Sequence, residues 1–227
     1  MDYQNVERMI LEFESKEKMF ESLCSKVIED LKEAINTNGT ATLLVSGGST
    51  PKPLFQLVNQ CELDWEKVTI GLVDERYVNN TSEFSNENLV INNLVTNLAK
   101  KATFIPMVFH SENENLNLEI VKKAYNVFEN PTVVLLGMGD DGHTASIFPN
   151  DEASTFANST SELIAITNAP NHPKRRITCS TFLLKNAKHT YLLFTGENKK
   201  VILEEAKEKN YPIGEFLDTI DTVYFTK

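Results

Sequence analysis

Residues 41–58 read ATLLVSGGSTPKPLFQLV, and this stretch contains the pattern from which the fold is predicted. Its first five residues form an apolar run of the kind that makes a buried strand. A Ser-Gly-Gly turn over residues 46–48 closes the run, and Pro51 follows at a position that the first turn of a helix tolerates. Apolar residues then recur from Leu54 onward at helical spacing. The stretch therefore predicts a strand, a glycine turn and a helix.

The same alternation continues along the chain. Further strands are predicted at residues 68–73, 104–108, 132–136, 163–166, 177–181, 190–194 and 222–225. Helices are predicted at residues 3–36, 86–98, 117–129 and 198–208. Apolar strands that alternate with amphipathic helices indicate an α/β protein whose mostly parallel sheet has helices on both faces. The sequence has no internal repeat and no linker, so a single domain over residues 1–227 is expected.

The composition limits the class of protein. A hydrophobic content of 41% in 227 residues is enough for a sizeable core. No apolar run approaches the roughly 18 residues that span a bilayer, which argues against a membrane protein. The first ten residues carry acids where a signal peptide has a basic region, and the three cysteines form no CxxC pair. We therefore expect a cytoplasmic protein without a disulfide framework or a structural zinc site.

The charge balance limits the partners. The chain has 32 Asp and Glu residues against 22 Lys and Arg residues, which gives a net charge of -10. Repulsion from a polyphosphate backbone argues against nucleic acid as the main partner. A small anionic ligand would need a few cations and backbone N–H groups focused in one cleft.

Polar clusters follow three of the predicted strands, and open parallel sheets bind ligands at the carboxyl ends of their strands. The first cluster is Ser46, Gly47, Gly48, Ser49 and Thr50. Glycine lets the backbone approach a ligand, and free N–H groups at a helix N-terminus attract an anion. The GK[ST] ending of a Walker A loop is absent, so a nucleoside triphosphate is not implied. Anion binding and a tight turn capped by Thr50 both fit this cluster.

The second cluster is Asp74-Glu75-Arg76, which is followed by Ser85-Asn86. Its acids could orient a sugar while the planar guanidinium of Arg76 binds a phosphate. The alternative is an exposed salt-bridge cluster that contributes little to stability.

The third cluster is GMGDDGHTASIFP at residues 137–149. It contains a formal GxGxxG pattern, but no small-residue helix follows and Pro149 would end a helix early, so a dinucleotide site is rejected. His143 suits a general base better, because Asp141 is close enough to fix its tautomer or to stabilise its imidazolium form. The four histidines of the chain show no HxxxH or HxH spacing, so no metal site is predicted.

Two cationic positions come later in the chain. Lys174, Arg175 and Arg176 precede or enter a predicted strand, and Lys199 lies near the start of a predicted helix. A lysine at a helix start interacts unfavourably with the helix dipole, so a bound anion would explain it. The run 174–176 either supplies the focused positive charge or is a solvated basic loop.

In this order and spacing, the motifs resemble those of the 6-phosphogluconolactonases. The resemblance rests on SGGSTP, on DER followed by SN, on GMGDDGHTASIFP, on RIT and on TGxxK, and it runs from about Ala41 to Lys200. It implies a Rossmann-like sheet and a hydrolase that needs neither metal nor cofactor. The implied reaction converts 6-phospho-D-glucono-1,5-lactone to 6-phospho-D-gluconate in the oxidative pentose phosphate pathway. The partner is then a small sugar phosphate lactone, and we expect a monomer or a weak homodimer.

Two other functions are alternatives. The related glucosamine-6-phosphate isomerase/deaminases share SGGSTP, but they typically have an aromatic residue after the DE pair and DGHIAFNEP-like residues around the histidine. Arg76 and residues 144–149 of this chain favour the lactonases over an isomerase with Asp74 as the enolising base. A non-catalytic sugar-phosphate sensor would need no base, so the Asp141–His143 pair argues against it.

The resemblance also implies a role for each site residue. His143 is expected to be the general base that activates water, with Asp141 or Asp74 as the acid that orients it. Backbone N–H groups of a glycine turn are expected to stabilise the oxyanion. The phosphate is expected to be held by Arg176 and Lys199, with Arg76 and the loop of residues 46–50 nearby.

The chain departs from the family pattern at one cationic position. Asn171 stands where the family usually has a lysine. This departure leaves open whether Lys174 or Arg175 replaces that lysine.

Overall fold

Seven parallel strands form the main sheet in the computed structural model, which describes residues 9–227. With strands numbered along the chain, their spatial order is β1-β10-β9-β6-β2-β3-β5. These strands are β1 (Ile10–Phe13), β2 (Ala41–Val45), β3 (Val68–Leu72), β5 (Thr103–Phe104), β6 (Val133–Leu136), β9 (His189–Thr195) and β10 (Thr222–Thr226). The predicted α/β class with a mostly parallel sheet is confirmed.

The helices of the described region lie between these strands in the sequence. They are α1 (Lys16–Asn38), α2 (Lys52–Val58), α3 (Asn86–Asn93), α4 (Glu114–Ala124), α5 (Glu152–Ser159), α6 (Thr181–Lys185) and α7 (Glu197–Glu204). All four residues of β6 are buried, as are four of the five in β2. Since successive side chains of a strand point to opposite faces, both faces of the sheet are covered.

Three more strands form a second, antiparallel sheet in the order β4-β8-β7. They are β4 (Asp74–Arg76), β7 (Ile164–Asn168) and β8 (Arg175–Cys179). Val73 links the two sheets, because its N–H donates to Val45 while its carbonyl accepts from the N–H of Cys179. The sequence predicted Asp74-Glu75-Arg76 as the polar end of the preceding strand, which is wrong. These residues are a strand of their own because they pair with β8.

Helix α1 confirms the helix predicted for the N-terminal region but starts later. The predicted residues 3–8 lie outside the described part of the chain, and Ile10–Phe13 is the edge strand β1. The side chain of Ser15 caps the helix by accepting from the N–H of Lys18. Gly39 ends it with a φ of 82°, a left-handed conformation that glycine adopts without strain.

Other boundaries also differ from the sequence predictions. The helix predicted at 86–98 ends at Asn93, and a separate 3₁₀ turn covers Asn97–Lys101. The helix predicted at 117–129 starts at Glu114 because Asn113 caps it, and a 3₁₀ turn continues it over Tyr125–Phe128. The strand predicted at 104–108 has two residues, and the helix predicted at 198–208 ends at Glu204. Two helices were missed, α5 and α6, which the side chains of Asp151 and Ser180 cap.

No helix in residues 9–227 has the length and apolarity needed to cross a membrane.

Candidate active site

A cavity of about 580 Å³ opens where the strands of the main sheet end. The loop after β2, the loop after β6 and the first turn of α7 after β9 contribute to its wall, and strands β4 and β8 add side chains. Every residue that the sequence predicted for the site lines this cavity. They are Ser46, Gly47, Gly48, Ser49, Thr50, Asp74, Arg76, Asp141, His143, Arg176 and Lys199.

His143 and Asp141 form a hydrogen-bonded pair in the loop after β6. The Nδ1 atom of His143 lies 2.5 Å from Oδ1 of Asp141, and the same oxygen accepts from the backbone N–H of His143 at 3.1 Å. Partial burial raises the pKa of Asp141, but these hydrogen bonds and the charge of His143 outweigh it, so the pKa lies below its usual value. An ionised Asp141 holds the proton on Nδ1, which leaves Nε2 free to accept a proton.

Gly139 provides the space that the His143 ring occupies. A Cβ atom at this position would overlap the ring and would lie 2.8 Å from Oδ1 of Asp141. The N–H of Gly139 donates to the carbonyl of His143, which closes the turn around the pair. The glycine is therefore required by the close approach of the ring.

We expect Gly139→Ala to lower the turnover rate by about 100-fold, because the added methyl group would displace the His143 ring by roughly an ångström. Steady-state kinetics would measure the loss. Gly137→Ala is the matched control, since a methyl group there has no atom within 4 Å beyond those of the two neighbouring residues. Near-normal turnover in Gly139→Ala would show that the position of the ring does not govern the rate.

Asp74 is the second of the two acids that were predicted as alternatives for orienting His143. Its buried carboxylate accepts instead from the hydroxyl of Ser146 at 2.5 Å, while His143 is held by Asp141. Ser146 follows Ala145, whose φ of 51° marks the tight turn that points this serine back toward β4. Of the two candidate acids, Asp141 alone contacts the imidazole in the described residues.

Arg76 and Arg176 lie directly opposite each other on β4 and β8. Arg76 donates from Nη1 to the carbonyl of Phe84 at 2.6 Å, whereas Nε of Arg176 is buried and has no acceptor in the described part of the chain. Burial lowers the pKa of Arg176, and the charge of Arg76 lowers it further, while the carboxylates of Asp74 and Glu75 act in the opposite direction without reversing the shift. Like charges on facing strands repel, so this arrangement favours the binding of an anion.

Phe148 connects the base with this arginine pair. Its ring centroid lies 4.7 Å from that of His143, and the guanidinium of Arg176 lies 6.0 Å from the same centroid. An arginine over an aromatic face is held in place by a cation–π interaction. The histidine and the cation are therefore positioned against one rigid side chain.

The loop of residues 46–50 supplies backbone donors. The N–H groups of residues 47–50 have no acceptor in the described region, and Gly48 has a φ of 95° that glycine tolerates. The hydroxyl of Ser46, a residue predicted for the site, donates to the carbonyl of Leu135 at 2.9 Å and ties the loop to β6. Successive unengaged N–H groups in a turn form an anion-binding concavity.

Lys199 lies in the first turn of α7, as the sequence predicted. Its Nζ atom donates to the carbonyl of Met138 at 2.6 Å and lies 3.8 Å from a carboxylate oxygen of Asp140. The ammonium group is thereby held beside the loop that carries His143. Its remaining donor capacity is available to a ligand in the cavity.

Glu75 was predicted, together with Asp74, as an acid that could orient a sugar, but it does not line the cavity, and no role was predicted for Asn86. The carboxylate of Glu75 accepts from the backbone N–H groups of Arg76, Asn86 and Glu87 and from the hydroxyl of Ser85. Burial raises the pKa of Glu75 to about 7, although these four donors act in the opposite direction. Glu75 therefore joins β4 to the start of α3.

Asn86 fixes the position of Asp74 and of the glycine loop. Its Nδ2 atom donates to the backbone carbonyl of Asp74 at 2.8 Å, and its side chain fills the space where a Cβ of Gly47 would lie. The Ser85-Asn86 pair, which follows the acids in the motif, was the sequence signal for both residues. Only the folded structure shows that Ser85 contacts Glu75 and that Asn86 contacts Asp74.

The basic run of residues 174–176, at the start of β8, contributes one residue to the cavity and two to the surface. Arg176 lines the cavity, whereas Arg175 pairs with Glu114 at 2.6 Å and with Asn168 at 3.0 Å. Lys174 is exposed and does not line the cavity, while Asn171 does. Neither Lys174 nor Arg175 lines the cavity beside Asn171.

Comparison with known proteins gives consistent matches. Residues 14–223 match the model of the glucosamine-6-phosphate isomerase/6-phosphogluconolactonase family. A 6-phosphogluconolactonase of Helicobacter pylori is 34% identical over 203 residues, which cover 89% of this chain and 88% of that protein. A 6-phosphogluconolactonase of Rhizobium meliloti is 37% identical over 198 residues, with 86% and 85% covered.

A solved structure agrees with these sequence matches. The crystal structure of a 6-phosphogluconolactonase from Shewanella baltica has a TM-score of 0.91 and 34% identity, and the match covers 96% of this chain and 97% of that one. The order of motifs, the geometry of the cavity and these similarities lead to one conclusion. The chain belongs to the glucosamine-6-phosphate isomerase/6-phosphogluconolactonase family.

Proposed function

We propose that this protein is a 6-phosphogluconolactonase, which hydrolyses 6-phospho-D-glucono-1,5-lactone to 6-phospho-D-gluconate in the oxidative pentose phosphate pathway. One observation carries the proposal: a hydrogen-bonded His143–Asp141 pair and the facing cations Arg76 and Arg176 line the same cavity. A lactone hydrolase for a phosphorylated sugar needs both, namely a base to activate water and a site for a dianion. The relatives named 6-phosphogluconolactonase support the same reaction.

In the proposed mechanism His143 is the general base. Its Nε2 atom takes a proton from water, whose oxygen attacks the lactone carbonyl carbon, and Asp141 stabilises the imidazolium that forms. The tetrahedral intermediate then collapses, the bond from the carbonyl carbon to the ring oxygen breaks, and the imidazolium returns the proton to that oxygen. The single ring-opened product carries a carboxylic acid, which ionises in water, and a free hydroxyl group.

The unengaged backbone N–H groups limit the choice of oxyanion donors. In the glycine turn after β6, the N–H of Gly137 is bound to Ser46, that of Gly139 to His143 and that of Gly142 to Gly139. Among the glycines of the two turns, only Gly47 and Gly48 have an N–H group with no acceptor in the described residues. We assign oxyanion stabilisation to the loop of residues 46–50.

The phosphate is assigned to the cations of the cavity. Arg176 and Lys199 are its anchors, with Arg76 beside them, and Asp74 is assigned to the hydroxyl groups of the sugar ring. The repulsion between the two arginines supports this assignment, as does the buried Nε of Arg176, which has no acceptor in residues 9–227. A charge-assisted hydrogen bond of this kind contributes about 1.5–3 kcal/mol.

The decisive experiment compares the hydrolysis of 6-phosphogluconolactone by the purified protein with its spontaneous rate. A rate well above the spontaneous one, proportional to protein concentration, supports the proposal. Ammonia release from glucosamine 6-phosphate, with no lactone hydrolysis, would identify an isomerase/deaminase instead. Binding of 6-phosphogluconate without either reaction would identify a sugar-phosphate sensor.

We expect the lactonase activity to survive exhaustive chelation with EDTA, because the activation of water is assigned to His143. In residues 9–227, no group of three or more His, Cys, Asp or Glu side chains is placed to hold a metal ion. Hydrolysis measured before and after chelation would test this. A loss of activity that added metal restores would contradict the assignment of the base.

Three expectations from the sequence stay predictions. Residues 1–227 are expected to form one domain, and the pairing of β1 with β10, from opposite ends of the described region, supports this. A cytoplasmic location is expected from the absence of a disulfide framework. A monomer or a weak homodimer is expected in solution, which sedimentation analysis at several protein concentrations would measure.

A further inference from the structure

Two of the three cysteines are in contact on the side of the main sheet that α1 covers. The Sγ atoms of Cys24 and Cys61 lie 3.6 Å apart. Cys24 is on α1 and is buried, whereas Cys61 follows α2 and is partly exposed. The sulfur atoms need to approach by only about 1.5 Å to reach the length of a disulfide bond.

We propose that the Cys24–Cys61 pair is a site of reversible oxidation that closes to an intramolecular disulfide when a peroxide is the oxidant. The proposal is independent of the lactonase reaction, because neither cysteine lines the cavity of the active site. It rests on the distance between the two sulfur atoms and on their unequal exposure.

The exposure of the two thiols assigns their order of reaction. Cys61 is the more exposed of the two, so the attack on the peroxide oxygen is assigned to its sulfur, and this step yields a sulfenic acid and one water molecule. The sulfur of Cys24 then attacks the Cys61 sulfur, the disulfide forms, and the sulfenic oxygen leaves as a second water molecule with the proton of Cys24. Two thiols lose two electrons, and one hydrogen peroxide gains them.

The surroundings of Cys24 argue against it as the thiol that attacks the peroxide. Burial raises the pKa of the Cys24 thiol to about 12, and the neighbouring Cys61 contributes to the increase. A thiol that stays protonated in an apolar site reacts slowly with a dissolved oxidant. It is nevertheless already positioned against the sulfur that becomes oxidised.

Cys179 offers an internal control. It is fully buried on β8, and its Sγ atom donates to the carbonyl of Leu72 at 3.4 Å. Burial raises the pKa of this thiol well above its usual value. Cys179 should therefore remain reduced under conditions that oxidise the Cys24–Cys61 pair.

The test is to treat the full-length protein with a molar excess of hydrogen peroxide, quench, denature, alkylate the free thiols and map the peptides by mass spectrometry. The reduced chain has three cysteines to alkylate, and the oxidised chain should keep one, Cys179. A disulfide-linked peptide pair with Cys24 and Cys61 should appear, and dithiothreitol should remove it. Cys179→Ser should form the same disulfide at the same rate.

Two single variants test the order of the steps. In Cys24→Ser the Cys61 sulfenic acid should accumulate and be trapped by dimedone, whereas in Cys61→Ser neither remaining cysteine should react. The proposal would be overturned by a wild-type chain in which both Cys24 and Cys61 stay alkylatable after peroxide. A disulfide that involves Cys179 or joins two chains would also overturn it, as would over-oxidation of Cys61 beside a free Cys24 thiol.

Discussion

Replacing His143 with Asn is expected to lower kcat for 6-phosphogluconolactone hydrolysis by about 10²–10⁴-fold, the usual contribution of a general base. Asparagine nearly preserves the volume of the side chain, and its amide can still donate to Asp141, which lies 2.5 Å from the imidazole. It has no nitrogen that can accept a proton from water. The affinity for 6-phosphogluconate should change little, because the phosphate is assigned to other residues.

Initial rates, corrected for spontaneous hydrolysis, would measure this effect. His110→Asn is a matched control, since His110 is exposed and does not line the cavity. It should retain wild-type kcat. A His143→Asn variant that keeps more than about a tenth of the wild-type kcat would fall short of a base effect and contradict the assignment.

Replacing Arg176 with Ala should weaken the binding of 6-phosphogluconate by about 1.5–3 kcal/mol, which is roughly 10- to 150-fold. Arg176 is 8% exposed, and its Nε has no acceptor among the described residues. It also faces Arg76 across the antiparallel pair. Its removal relieves a repulsion in the unliganded protein and removes a phosphate contact in the complex, so the loss should appear in binding more than in stability.

Isothermal titration with the product would measure this loss. Arg175→Ala is the matched control on the same strand, because Arg175 pairs with Glu114 and does not line the cavity. Its effect on product affinity should be small, as should that of Lys174→Ala. Unphosphorylated gluconate should bind Arg176→Ala about as weakly as it binds the wild type. Equal, small losses at positions 174, 175 and 176 would indicate diffuse attraction by a basic loop and no dedicated anchor.

The sequence by itself determined the central strands and the loops that carry the chemistry. Strands β2, β3, β6 and β9 were predicted to within about two residues at each end because a parallel strand covered on both faces needs a continuous apolar run. The loops after β2 and β6 were recognisable because glycine and hydroxyl residues follow those runs directly. Local sequence is sufficient to predict a strand that is buried on both faces or a loop that makes a tight turn, because each of these requires particular residue types.

Strand β1 and strand β4 could not be predicted in this way. Ile10–Phe13 is half-exposed and looked like part of an amphipathic helix, and Asp74–Arg76 is polar and short. β1 is a strand only because its backbone pairs with β10, and β4 is a strand only because its backbone pairs with β8. Such pairing joins residues that are far apart in the chain, so no local pattern records it.

The sequence named residues that lie together along the cavity, whereas their contacts were decided by the tertiary structure. The motifs left Asp141 and Asp74 as equal candidates to orient His143. The turn through Ala145 directs Ser146 to Asp74 and leaves His143 to Asp141. The antiparallel register of β4 and β8 brings Arg76 opposite Arg176, and it leaves Arg175 to pair with Glu114 outside the cavity. Neighbouring residues on a strand point to opposite faces, so only the register of the folded sheet decides which cation of a basic run reaches the ligand.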